Sequence, residues 1–171
     1  AGYDVYYEQS TPDSVRYFED GLKWASERAA AAQVMLAMEI MDTPFMNSIS
    51  KHMVYEEKLH SPWYRVYPDL GNLTAWPEND PAAELNKGID SIVAIHLKDT
   101  LPPTKTFPGQ FKCVPFGTGC VDFPERFRQL ERLGYTGPYM IEMWHQDGTE
   151  DVKEIAKAAK WLNDQYEQGV L

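Results

Sequence analysis

Two hydrophobic rhythms take turns along the chain. Val15, Phe18, Leu22, Ala25 and Ala29 recur at helical spacing and make one apolar stripe. Thr11 is placed to cap this helix, with Pro12 at its first position. The rhythm then changes to Val34-Met35-Leu36-Ala37-Met38, apolar throughout and ending at Glu39. That is the pattern of a strand buried on both faces. A helix over 47–59 follows, then the strand-like Tyr64-Arg65-Val66-Tyr67-Pro68, ending at Asp69. A short helix over 82–87 stops at Gly88, and Ile92-Val93-Ala94-Ile95 reads as a third strand ending at His96. Residues 98–119 read as a long loop carrying Pro102, Pro103, Pro108 and Pro115, with Pro124 just beyond. Asp122 and Glu125 form a capping box for the next helix. Its stripe is Phe123, Phe127 and Leu130, and Gly134 suits its C′ position. Tyr139-Met140-Ile141 is the fourth strand, ending at Glu142. A last helix starts at Thr149, buries Val152, Ile155, Ala159, Leu162 and Tyr166, and ends at Gly169.

A helix followed by four strand–helix units predicts an α/β fold with a parallel sheet and right-handed crossovers. The 171 residues suit one domain. A composition of 43% hydrophobic and 13% aromatic residues supports a real core. The net charge of -10 argues against nucleic acid and anionic membrane as partners. No apolar run reaches the roughly 20 residues of a membrane span. The opening residues lack the basic and apolar regions of a signal peptide. They also lack an initiator Met, which fits either Met removal or a cut through a larger protein. Cys113 and Cys120, with no CxxC, read as reduced thiols of a cytoplasmic protein.

Each strand-like run ends in a metal-type ligand: Glu39, Asp69, His96 and Glu142. The first three are about 30 residues apart, one βαβ step. In a parallel barrel the C-terminal strand ends share one rim, where active sites are built. A lone acid there is usually a helix cap, and a lone histidine a core residue; four strands ending this way point to convergence. Three carboxylates and one imidazole suit one divalent ion, Mn, Zn, Mg or Co.

The stretches AGYDVYYE (1–8), LAMEIMDTPFMNSISK (36–51), YPDLGNLTAW (67–76), IVAIHLKDT (92–100), VPFGTGCVDF (114–123) and GPYMIEMW (137–144) carry a family likeness. Together they resemble the sugar-phosphate epimerase branch of the xylose-isomerase-like, or endonuclease-IV-like, barrels. Within it the likeness is to L-ribulose-5-phosphate (L-xylulose-5-phosphate) 3-epimerases. The resemblance implies a partial TIM (β/α)8 barrel, with residues 1–171 as its C-terminal half, about strands five to eight. It implies a metal-dependent isomerase acting on a ketopentose 5-phosphate, in pentose phosphate metabolism or ascorbate utilisation. It also places the family's metal ligands on Glu39, Asp69, His96 and Glu142.

The mechanism so implied removes the proton beside a ketone and returns it on the opposite face, with Glu39 and Glu142 as the acid/base pair. Lys98 leaves the same face of the chain as His96; it suits an anionic intermediate or a phosphate, and equally a solvated loop. Asn47 and Asn72 suit substrate hydroxyls, or turns and caps. Gly117, Thr118 and Gly119 precede a helix start, where backbone amides can hold phosphate or simply make a turn. Trp76 and Trp144 suit a pocket wall or the core. His52, His60 and His145 read as peripheral, His145 nearest the site. An aldose–ketose isomerase on the same scaffold is the main rival; a three-zinc abasic-site nuclease would need more than four histidines. A half barrel leaves strand edges unpaired, so the chain is expected to form homo-oligomers and, alone, to be weakly active or inactive.

Overall fold

The computed structural model describes residues 11–171. The AGYDVYYE stretch, one of those that carry the family likeness, lies outside them. Helix α1 is Ser14–Ala32 and strand β1 is Leu36–Glu39; then come α2 (Ile49–Leu59) and β2 (Tyr64–Tyr67). Helices α3 (Leu70–Ala75) and α4 (Pro81–Gly88) lead to β3 (Ile95–Leu97). A hairpin of β4 (Asp99–Leu101) and β5 (Gln110–Val114) precedes α5 (Phe123–Arg132), β6 (Tyr139–Ile141) and α6 (Asp151–Val170).

Strand β1 runs parallel to β2, and β3 parallel to β6. Parallel bridges Val66–Ile92 and Asp69–His96 join the two pairs. The order β1-β2-β3-β6 therefore follows the chain, as in a wall of a β/α-barrel. Helices α5 and α6 pack on it through Phe123, Phe127, Leu130 and Leu162, which join Val66, Leu70 and Ile95 in the main core. A smaller core gathers Phe18, Leu22, Met38, Met46 and Tyr64 beneath α1.

Sequence signals explain most boundaries. Ser48 caps α2 by accepting the Lys51 amide, and Asp80 caps α4, with Pro81 at its first position. The Asp122 carboxylate accepts the Glu125 amide, as the capping box requires. Gly134 sits just past α5 with φ +74°, a left-handed conformation open to glycine.

Several expectations are corrected. Helix α1 begins at Ser14, because Thr11 and Pro12 form a preceding turn. Its stripe is Phe18, Leu22 and Ser26, and Val15 is exposed. In β1 only Met38 is buried, and Val34 and Met35 before it are exposed, so the strand is covered on one side rather than two. Helix α3 was hidden by the glycine and asparagine of LGNLTA. His96 lies inside β3 rather than after its end. The proline-rich segment is not all loop, since β4 and β5 pair antiparallel across it. Helix α6 starts at Asp151 and buries Ala158, Leu162 and Gly169, leaving Val152, Ile155 and Tyr166 exposed. The helix runs one residue past Gly169, where a side chain would run into the Pro124 carbonyl. Cys113 and Cys120 are free thiols.

Candidate metal centre

Strand alternation decides which side chains meet. Tyr64 and Val66 of β2, Ile95 and Leu97 of β3, and Tyr139 and Ile141 of β6 turn toward the helices. The intervening positions therefore face the opposite side. Glu39, Tyr67, Asp69, His96, Lys98 and Glu142 all lie on that side, near the C-terminal strand ends.

Glu39, Asp69, His96 and Glu142 each offer one ligand atom, and these four atoms lie within 4.8 Å of one another. Nδ1 of His96 is 2.8 Å from Oε1 of Glu39, 3.3 Å from Oε2 of Glu142 and 4.0 Å from Oδ2 of Asp69. Asp69 is fully buried. Its Oδ1 accepts the Asn72 amide at 2.6 Å and so caps α3. Its Oδ2 is buried with no hydrogen-bond partner, as is Oε2 of Glu142. Carboxylate oxygens left without a hydrogen bond in the interior are costly. Two of them aimed at one imidazole nitrogen make a donor set of hard and borderline ligands that fits a divalent cation.

Electrostatics follow from the crowding of three acids. Burial pushes the Asp69 carboxyl up, only partly offset by Lys98 and the Asn72 amide. Burial also opposes ionisation of Glu142, but Lys98, Asp69 and His96 outweigh it and hold this carboxyl below its ordinary range. For His96, burial lowers the pKa, yet the hydrogen bond and charge of Glu39 with the charges of Asp69 and Glu142 raise it overall. Burial likewise works against the charge on Lys98, and Asp69 and Glu142 more than restore it.

Lys98 is not a solvated loop residue. It is buried, with Nζ 3.2 Å from Oε1 of Glu142 and 3.5 Å from Oδ2 of Asp69. Tyr67 was missed from the sequence. Its ring lies 4.2 Å from the His96 ring between centroids, and its buried hydroxyl has no partner. Its place two residues before Asp69 is the signal that would have found it.

Other candidates are placed elsewhere. Asn47 is buried between Glu78, to which its amide donates at 3.0 Å, and Lys51, which donates to it at 2.6 Å. That is a fastening role. Asn72 donates to the Ile40 carbonyl at 2.9 Å, tying α3 to the end of β1. The amides of Gly117 and Gly119 are both taken by the Asp99 carboxylate, and Thr118 bonds to the Pro115 carbonyl through its amide and hydroxyl. The segment is a turn folded around a carboxylate, which corrects the expectation that these amides stand ready for phosphate. Trp144 donates to Oε1 of Glu142 at 3.2 Å, whereas Trp76 packs on Phe111. His52 is not peripheral but fully buried, stacked on Tyr64.

A cleft of about 450 Å³ opens beside Lys98 and Glu142, walled by Val114, Phe116, Trp144 and Trp161. Its size suits a small molecule.

Parallel strand–helix units carrying a carboxylate–imidazole cluster at their C-terminal ends define a segment of a β/α-barrel with the cluster on the rim formed by those ends. The chain belongs to the xylose isomerase-like TIM barrel family, whose model matches residues 1–165. It is 56% identical over 168 residues to an Escherichia coli protein provisionally named L-ribulose-5-phosphate 3-epimerase SgbU, a match covering 98% of this chain and 58% of that protein. It is 52% identical over 162 residues to L-ribulose-5-phosphate 3-epimerase UlaE of Escherichia coli, covering 95% of this chain and 55% of the relative. Among solved structures, an L-ribulose 3-epimerase superposes with a TM-score of 0.73 at 19% identity, over 98% of this chain and 58% of that one. The chain thus spans less than two thirds of the length of the curated relatives it matches. No helix among the described residues is long and apolar enough to cross a membrane.

Proposed function

We propose that residues 1–171 are the C-terminal half of a barrel that is a metal-dependent, cytoplasmic 3-epimerase of a ketopentose 5-phosphate, L-ribulose 5-phosphate or L-xylulose 5-phosphate. The observation that carries this reading is the meeting of four ligand atoms within 4.8 Å, with Oδ2 of Asp69 and Oε2 of Glu142 buried and without a hydrogen bond. The names of the relatives, at 52–56% identity, supply the substrate class.

Glu39, Asp69, His96 and Glu142 are the residues that hold the cation. When bound, it supplies Lewis-acid polarisation of a ketone and its neighbouring hydroxyl. Glu39 and Glu142 close the outermost strands of the wall, β1 and β6, and flank Asp69 and His96 between them. That flanking suits a base on one face of the reacting carbon and an acid on the other. Lys98 keeps its positive charge beside Glu142 and offsets the negative charge that builds on substrate oxygens.

The test is solvent exchange in the full-length protein. Glu39→Gln and Glu142→Gln should each abolish deuterium incorporation at C3 of L-ribulose 5-phosphate. Incorporation at the unmodified rate in both variants would end the two-carboxylate reading.

A further inference from the structure

The most heavily bonded carboxylate at this rim belongs to none of the cluster residues. Asp99 is 1% exposed and faces away from Lys98, its neighbour in the chain. Oδ2 accepts the amides of Gly117 and Gly119, both at 2.9 Å; Oδ1 accepts those of Thr100 at 3.0 Å and Val121 at 3.3 Å. Four backbone donors converge on one side chain, each bond strengthened by its charge. Gly119 lies so close that a Cβ there would run into the Asp99 carboxylate. Gly117, at φ +83°, lies against the Trp161 ring. The chain between Pro115 and Val121 therefore has one seat, with Asp99 at its centre. On its outer side this segment presents Phe116, which packs on Phe123 and faces Trp161 across 6.1 Å. Phe116 and Trp161 line the cleft together with Glu142.

We propose that Asp99 is a positioning residue that holds residues 115–121 as a wall of the substrate cleft, and so sets affinity for the sugar phosphate without touching it. The proposal rests on the epimerase reading for the identity of the ligand. Lys98 and Asp99, adjacent where β3 gives way to β4, then divide two tasks between them: one side chain faces the acids of the cluster, the next fastens the wall beside it. Asparagine is nearly isosteric, but it offers one accepting oxygen and turns an N–H group toward amides that need acceptors.

Asp99→Asn and Gly119→Ala attack the same seat from opposite sides. In the full-length protein, hydrogen exchange at 115–121 should quicken by about tenfold or more in both, with α2 and α4 unchanged, as local opening requires. Binding of Mn²⁺ should stay within about twofold, while affinity for L-ribulose 5-phosphate falls about tenfold, the scale expected when positioning is lost. Unchanged exchange at 115–121, faster exchange throughout the chain, or unaltered sugar affinity in a loosened loop would each overturn the proposal. If the unmodified full-length protein binds Mn²⁺ but no sugar phosphate, the epimerase reading fails, and the positioning role fails with it; a normal parent with unaffected variants sinks the positioning role alone.

Discussion

The Asn72 amide lies 2.6 Å from Oδ1 of Asp69, so a single carboxylate ends one helix while its other oxygen faces the cluster. Asparagine keeps the cap and removes the charge. Because burial raises the Asp69 pKa, its ionised form weakens the folded state at neutral and higher pH. Asp69→Asn should therefore melt at or above the parent temperature at pH 8 without metal. Added Mn²⁺ should raise the parent melting temperature and leave that of the variant unmoved. At a concentration of about 100 times Kd the parent gains about 2.7 kcal/mol. Calorimetry with and without EDTA checks both arms, and equal stabilisation of the two proteins would refute this role for Asp69.

Lys98 is the cation that lets Asp69 and Glu142 be buried together. Lys98→Met keeps the length and removes the charge, leaving two carboxylates facing each other in the interior. Breaking such a pair costs about 3 kcal/mol. Urea unfolding at pH 8 should show that loss, and a stability equal to the parent would contradict it.

His52 adds a pH dependence far from the cluster. Burial lowers its pKa to about 4, with Glu56 and the Arg65 backbone softening the effect. The unfolded chain takes up this proton near the ordinary value of 6.5, before the folded one does. Stability from this site is therefore complete above pH 6.5 and is lost as pH falls toward 4. The loss is about 3 kcal/mol. His52→Phe can keep the stack on Tyr64 and should flatten this part of the stability–pH curve. A curve of unchanged slope would exclude His52 as its source.

Among the described residues, β1 pairs only with β2 and β6 only with β3, so the wall ends in two open edges. Open edges recruit other strands. Sedimentation of the 171-residue chain should show dimers or larger species at micromolar concentration. A stable monomer would remove the argument for self-association.

The strand ends were legible because the strands announce themselves twice, by a largely apolar run and by the polar residue that stops it. Glu39, Asp69 and Glu142 were singled out in this way, the second after a run that Arg65 interrupts. His96 was found although the strand assignment around it was shifted, since its register is set by the Asp69–His96 bridge rather than by the Ile92–Ile95 run. The β4–β5 hairpin stayed hidden because prolines and exposed residues leave it no apolar alternation. Asp99 was equally silent: its four partners are backbone amides, which have no letter in a sequence. Exposure of Val152 and Ile155 on α6 was not legible either, since a helical stripe does not say which part of its length has a neighbour.

All four side chains of the cluster lie between residues 39 and 142, at or near the ends of four parallel strands. On the proposed function, ion capture would be written into one contiguous stretch of gene. A crossover upstream of codon 39 would hand the whole cluster over, whatever polypeptide is joined in front. Descendants built on such a cassette would then vary in what surrounds the cluster while inheriting its four donors intact.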